Sequence, residues 1–423
     1  MNRNKIQRGW IILAVCMLIQ AIPFCIASNI QPLFMGSVIK EHGFSLTGFS
    51  LIFSIGTIVS ALVAPVIGSL FSKVNLKLIY TLGAILTGGG FMAFSMCTQL
   101  WQFYLVAAIV NIGSAIISSI GVPLLINSWF DGNIRGKALG IAFAGGSIGN
   151  IFMQQLVIRS IVANGTSKSY FIFGLVALVV ALIIALLLVK MPQDDSEVVT
   201  VSNNSKEKCG NEIDISYSLK EAQNNKFFWI FGIGFLFVGL YVSAYSVQYA
   251  NYFQNILNLS PNVIALTGSI FAICSLAGNV VGGVFFDKLG VIKTLLISAI
   301  AVAASGMFII LAGSNPIFAH LHSAVKGVAV FVYMMTPAYV VGEYFGKKAY
   351  GSILGMLQLV FAIGFSAGSV LFGVLAGVLG YNITWMIILG FVVCAFVCLI
   401  TASNGMIKLN KERKKKIELS EAA

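Results

Sequence analysis

The chain has 423 residues, 58% of them hydrophobic and only 9% charged, with a formal net charge of +12. A soluble domain carries roughly 25% charged residues, so an assembly of soluble domains is excluded. The positive surplus does not point to nucleic acid either, because the basic residues sit between apolar runs rather than on one surface.

Apolar runs of about 20 residues, the length that crosses a bilayer, recur twelve times. They cover 10–35, 46–71, 77–97, 101–127, 137–162, 169–190, 227–254, 262–286, 291–312, 317–341, 350–379 and 382–403. Hydrocarbon leaves any unpaired backbone amide unsatisfied, so each run is predicted to be helical. The expected fold is an all-α membrane protein with twelve transmembrane helices. The first run is too long for a signal-peptide core and lacks an evident cleavage site, so it is expected to remain as a span. With the N-terminus inside, the inner segments hold all the basic residues except Lys40, Arg159, Lys168 and Lys326. The positive-inside rule then places both termini in the cytoplasm of a multi-pass cell-membrane protein.

In chain order, span 1 carries Gln20, and span 2 ends in GSLFSKVNLK, with Gly68, Ser72, Lys73 and Asn75. Span 4 holds Asn111, and SWFDGNIRGKALGI brings Arg135 to the start of span 5, which carries Asn150, Gln154 and, near its outer end, Arg159. Met191–Lys226 is polar and lacks apolar periodicity, which marks a solvated linker. It divides the chain into a six-helix bundle over 1–190, a linker over 191–226, a second bundle over 227–404 and a basic tail over 405–423. Ser218 is a candidate N-cap for a short helix before span 7. In span 7, Tyr241, Tyr245, Gln248 and Tyr252 recur at helical spacing and predict one polar–aromatic stripe. Tyr252 also reads as an interfacial anchor.

Span 8 ends in GVFFDKLGVIK, with Gly283, Asp287 and Lys288. Span 10 carries Lys326 about nine residues in, some 14 Å below its outer end, with Tyr333 seven residues on and Pro337 after that. An intramembrane charge is a functional candidate: Lys326 reads as an anion contact or a mobile counter-charge, against snorkelling to the outer surface. His320 and His322 read as interfacial side chains at the outer end. Gln358 lies in span 11. The tail KLNKERKKKIE reads as a solvated topogenic segment. Six of the seven cysteines fall in spans and read as small packing residues; Cys209 lies in the linker. Runs such as Gly145–Asn150 and Gly368–Gly377 predict close helix–helix contact.

One pattern occurs twice. Gly68, Phe71 and Lys73 return in the second half of the chain as Gly283, Phe286 and Lys288, all at one offset. Phe130, Gly136, Leu139, Gly140, Ile148 and Gly149 return at that same offset as Phe345, Gly351, Leu354, Gly355, Ile363 and Gly364. Two homologous halves in an apolar chain point to a transporter in which one half rocks against the other.

At these residues the chain resembles the major facilitator superfamily. Its loop signature runs through Gly283, Asp287, Lys288, Gly290 and Lys293; the first-half copy has Ser72 in the acidic position and Asn75 in the glycine position. The resemblance implies two pseudo-symmetric six-helix bundles and a cytoplasmic latch. In that latch Asp287 pairs with a basic residue or a helix N-terminus, and Gly68, Arg135, Gly283, Asp287 and Lys288 are the expected gating residues. RGWIILAVCML, EHGFSLTGFSLIFSIGTIVSALVAPVIG, SWFDGNIRGKALGI, YSLKEAQNNKFFW and PAYVVGEYFGKKAYGSILG resemble the oxalate/formate antiporter and monocarboxylate transporter group. That group usually carries an arginine where this chain has Asn279. A neutral amide cannot replace a guanidinium's two charge-assisted bonds to a carboxylate, which argues against a simple oxalate or lactate carrier.

The expected substrate-binding residues are Lys326, Tyr333, Asn279, Tyr241, Tyr245, Gln248, Gln20, Asn150 and Gln358. No carboxylate lies mid-span: Glu41, Asp131, Asp287 and Glu343 fall at membrane edges. Without nucleotide, zinc or catalytic motifs, neither enzyme chemistry, a metal nor a cofactor is expected. The expected partners are a small-molecule substrate and the bilayer, without nucleic acid, and the expected state is a monomer. The expected activity is transport of a small organic anion or other polar metabolite, by exchange, facilitated diffusion or coupling to a proton on the substrate. Its rivals are a sensor that binds without turnover and a carrier of neutral or amphipathic compounds.

Overall fold

The computed structural model describes residues 3–44, 46–71, 73–131, 134–192, 198–199, 216–249 and 252–421. Ser72 and Cys209 lie outside them. Ten helical runs are long and apolar enough to cross a bilayer. They are α1 (Arg8–His42), α2 (Leu51–Leu70), α3 (Leu76–Met96), α4 (Leu100–Trp129), a run Arg135–Leu188 that Gly165 breaks into α5 and α6, α7 (Lys226–Gln248), a run Leu266–Leu311 that Gly290 breaks into α8 and α9, α10 (Ile317–Tyr344), α11 (Tyr350–Leu379) and α12 (Tyr381–Leu419). The twelve expected helices are therefore present. Two of the expected connections shrink to a single glycine, with φ/ψ of 79°/175° at Gly165 and 75°/174° at Gly290. Only glycine enters this region without strain. Gly380 joins α11 to α12 in nearly the same conformation, φ 80° and ψ 163°, and it is the counterpart of Gly165 at the offset of the sequence repeat.

The chain divides into two compact units. Residues 1–130 and 141–199 form the first; residues 131–140 and 200–423 form the second.

In the first unit a cluster of rings fills the core. Phe34 stacks on Tyr170 at 4.0 Å, Phe91 meets Tyr170 and Phe49 meets Phe103 edge to face, and Phe94 stacks on Phe103. Such pairs add roughly 0.5–1.5 kcal/mol beyond their buried area. α1 widens to i→i+5 bonding over Gln20–Asn29, where Pro23 removes a donor from the α-helical ladder. Asn75, in the glycine position of the first-half signature copy, is a cap: its side chain accepts the Lys77 amide at 2.9 Å and starts α3.

The second unit repeats one close approach. A Cβ on Gly149 would strike the Ala21 carbonyl, and a Cβ on Gly364 would strike the Leu236 carbonyl. Both members of the second pair are the repeat counterparts of the first, so α5 sits on α1 as α11 sits on α7. The expected glycine contact over Gly368–Gly377 holds only in part. Gly368 abuts Leu240, whereas Gly373 and Gly377 face no neighbouring atom within 4 Å.

Beyond the expected span 12 the chain stays helical. Tyr381–Glu421 is one helix, because the tail consists mostly of helix-favouring Lys, Glu, Arg and Leu. Asn410 donates to the Tyr344 carbonyl and accepts from Tyr217, and Arg413 pairs with Glu221 at 3.2 Å. The tail is thereby tied to the end of the linker, where Ser218 and Glu221 form the capping box of helix Leu219–Gln223.

Candidate functional site

α7 sets the first wall of the site. Tyr241 and Tyr245 lie one turn apart, with ring centroids at 5.8 Å, and both are buried. α7 widens to i→i+5 bonding over Ala244–Gln248, and there the Tyr245 carbonyl accepts from Lys326 Nζ at 2.8 Å. Lys326 is in the last turn of the first of three pieces of α10, Ile317–Val328, Phe331–Met334 and Thr336–Tyr344. Pro337 offers no N–H to the Tyr333 carbonyl, which helps part the last two pieces. Carbonyls left open at the end of the first piece favour a cation. The ammonium also lies 4.8 Å from the Phe271 ring centroid and 5.0 Å from that of Tyr249. Among the described residues no carboxylate pairs with it.

Tyr241, Tyr245, Lys326 and Tyr333, four of the nine expected substrate residues, line one cavity of about 20 Å³. Val242, Val302, Ser305 and Ala329 complete its wall. The hydroxyls of Tyr241 and Tyr245 are buried and have no partner among the described residues.

The other candidates lie elsewhere. Asn279 is buried at 3% exposure, its Oδ1 has no partner among the described residues, and it does not line this cavity. Gln248 and Gln358 are half-buried in the second unit. Gln20 and Asn150 belong to the first unit. Ser118 donates to Gln20 Oε1 at 3.1 Å, and the Cys25 thiol approaches Asn150 Oδ1 at 3.6 Å. Arg159 is exposed.

His322 is not an interfacial side chain. It is fully buried, with Nδ1 2.9 Å from the Ser305 carbonyl and 3.0 Å from its hydroxyl, and its ring meets Tyr245 edge to face at 5.5 Å. Its spacing of four residues from Lys326 places both on one helix face; that was the available signal. Tyr252 likewise turns inward. It stacks on Tyr381 at 5.5 Å, and its hydroxyl donates to Asn382 at 3.3 Å.

A second constellation in the same unit is built on Asp287. Its Oδ1 accepts the Gly136 amide at 2.7 Å and its Oδ2 the Lys137 amide at 2.6 Å. These are first-turn amides of α5, which have no partner within their own helix, and the carboxylate faces the positive end of the helix. Gly136 and Gly283 make room: a Cβ on Gly136 would lie 2.6 Å from both Asp287 Oδ1 and the Gly283 carbonyl. Arg135, 5% exposed, pairs with Glu343 at 2.6 Å and covers the Tyr339 ring at 4.5 Å. Tyr339 in turn stacks on Phe286 at 4.5 Å. Lys288 is exposed, and Gly68 is buried in the first unit near the end of α2. Glu343 and Tyr339 went unrecognised in the sequence because their partners, Arg135 and Phe286, stand far off along the chain.

Comparison with known proteins places this geometry. A family model described as Major Facilitator Superfamily matches residues 13–254 and 231–421. An uncharacterized MFS-type transporter, YhjX of Escherichia coli (strain K12), is 26% identical over 324 residues, covering 74% of each chain. The MFS-type transporter pynF of Aspergillus niger is 23% identical over 239 residues, 56% of this chain and 51% of that one. Among solved structures, a bacterial homologue of the iron transporter ferroportin in its outward-facing state aligns with a TM-score of 0.69 at 14% identity, over 94% of this chain and 99% of that one. The transporter FucP in the outward conformation gives 0.68 at 17% identity, over 96% and 99%. The human organic anion transporter MFSD10 gives 0.65 at 12% identity, over 94% and 98%.

Proposed function

The chain belongs to the Major Facilitator Superfamily, and from that premise we propose that it carries a small organic anion across the cell membrane by alternating access. One observation supports this above the others: Lys326, a membrane-embedded cation with no carboxylate partner among the described residues, borders a cavity with the buried hydroxyls of Tyr241 and Tyr245. Ammonium and phenol groups all donate, and donors without acceptors suit an anionic head group. The resemblance to the oxalate/formate antiporter and monocarboxylate transporter group favours a carboxylate. Asn279, in place of that group's usual arginine, shifts the work of charge pairing to Lys326. Tyr333, on the wall of the same cavity, then supplies an uncharged polar contact.

The Asp287 clasp on the start of α5 is the inner latch in this reading. Arg135 and Glu343 brace it, Gly136 and Gly283 permit it, and Gly68 and Lys288 hold the corresponding loop positions. The two bundles run over 1–190 and 227–404, joined by the 191–226 linker and followed by the 405–423 tail. Both termini are cytoplasmic, and the protein works as a monomer.

Uptake or exchange of radiolabelled carboxylates in proteoliposomes is the test. Wild type is expected to transport and Lys326→Gln to lose most of the flux. Equal stabilisation of wild type and Lys326→Gln by carboxylates in a thermal-shift series overturns the site. Binding without flux would mark a sensor, and flux of neutral compounds alone would mark the other rival.

A further inference from the structure

We propose that the cavity beside Lys326 is a binding site for a single halide, chloride by abundance and charge. The inference rests on reading Lys326 as the charged group of the site. It goes further by naming the ion that holds that charge when no substrate is present.

The size of the cavity carries the first step. About 20 Å³ exceeds the 10–15 Å³ that one water requires, yet it is far below the several hundred cubic ångströms of an organic-ligand pocket. A monatomic ion fits; an organic anion with its carbon skeleton does not, unless the walls part.

The lining carries the second step. Lys326 has three N–H donors and uses one on the Tyr245 carbonyl. Tyr241 and Tyr245 each present a buried hydroxyl with no partner among the described residues. Val242, Val302 and Ala329 supply apolar walls. A buried polar atom left unpaired costs roughly 1–3 kcal/mol, and an unpaired charge costs more. A water bridging these groups would satisfy the phenols but leave the ammonium uncompensated. A halide cancels the charge and is an acceptor that the phenols can also meet.

The third step is the absence of a rival partner. No carboxylate among the described residues pairs with Lys326, and the Tyr249 and Phe271 ring centroids lie 5.0 and 4.8 Å from its ammonium. The equivalent of Lys326 in the first unit is Asn111, a neutral side chain that donates to the Ala107 carbonyl of its own helix. The site is thus confined to the unit that carries the charge.

The experiment uses the full-length protein in detergent at constant ionic strength, with sodium methanesulfonate, which has no carboxylate, replaced stepwise by sodium chloride or sodium bromide. The expected result is a saturable rise in unfolding temperature with both halides. That rise should be absent in Lys326→Gln and retained in Lys326→Arg, which keeps the charge. Tyr241→Phe and Tyr245→Phe, which remove only the hydroxyls, should each raise the half-saturating concentration about tenfold, the value of one buried hydrogen bond. Identical unfolding in methanesulfonate and chloride overturns the proposal, as does a halide response that persists unchanged in Lys326→Gln. Carboxylate flux in halide-free methanesulfonate proteoliposomes from a protein without any halide response would defeat the halide site and leave the transport reading standing. A halide response in a protein that moves no carboxylate would do the reverse.

Discussion

In the first unit Asn111 lies against Gly56 and donates to the Ala107 carbonyl at 2.8 Å. In the second, at the repeat counterparts of both positions, Lys326 lies over the Phe271 ring at 4.8 Å. Each unit has filled the same place with a matched pair. Glycine leaves room for an amide that satisfies itself on its own helix, whereas phenylalanine offers a π face to an ammonium that has no such option. Elsewhere the two units keep the same contact, as Gly149 and Gly364 do against α1 and α7. Where a duplicated fold retains its packing but exchanges a self-satisfied amide for an unpaired charge, the exchange marks chemistry rather than scaffold.

The sharpest way to break this comparison is to graft one pair onto the other. Phe271→Gly with Lys326→Asn should reduce carboxylate uptake about a hundredfold, the loss expected for a charged hydrogen bond of ~3 kcal/mol. Unchanged initial rates in proteoliposomes would show that the asymmetry is decorative. A smaller effect tests the shared part. Gly149→Ala and Gly364→Ala should each destabilise the protein by about 1–3 kcal/mol through overpacking, and by similar amounts in denaturant unfolding. A marked inequality would mean that the repeated contact is not one feature used twice.

Next comes the α2–α3 turn. Asn75→Ala removes the cap and should cost about 1 kcal/mol, Asn75→Gly only a few tenths. If glycine there proves as damaging as alanine, the cap is not what distinguishes Asn75 from Gly290.

The smallest effect concerns Glu221, whose carboxyl the Ser218 amide and hydroxyl, and then Arg413, hold down at about 2. A lowered folded-state value means that the contribution is complete above the unfolded value of about 4.3 and fades as pH falls toward 2. Protection factors of the amides at residues 219–223, referenced to intrinsic exchange at each pH, should therefore fall on acidification through that window, while Glu221→Gln should show no such fall.

Spans, halves and the Asp287–helix pairing were legible because each rests on a local pattern: apolar length, a fixed offset, a loop signature. Tyr241 with Tyr245 on α7, and Lys326 with Tyr333 on α10, were each legible as a pair because helical spacing puts them near one face of their own helix. His322 was not, since its burial depends on Ser305 of another helix, α9. The Asn75 cap was not legible, because comparison with a motif registers a missing glycine without seeing a gained cap. The tail's helix was missed because nothing local ends α12. Gly405 has the look of a stop, but it is packed against the Phe227 ring within the helix.

That last helix has a practical consequence. Tyr381–Glu421 is 41 residues long, about 62 Å at 1.5 Å per residue, roughly twice the hydrocarbon thickness. Braced by Asn410 and Arg413 against the end of the linker, it forms a stiff mast rather than a tether. A dye or spin label placed at Lys415 would therefore turn with α12 itself. Angular changes there would read out rigid-body motion of the helix during turnover, undiluted by the wobble that usually blurs a terminal probe.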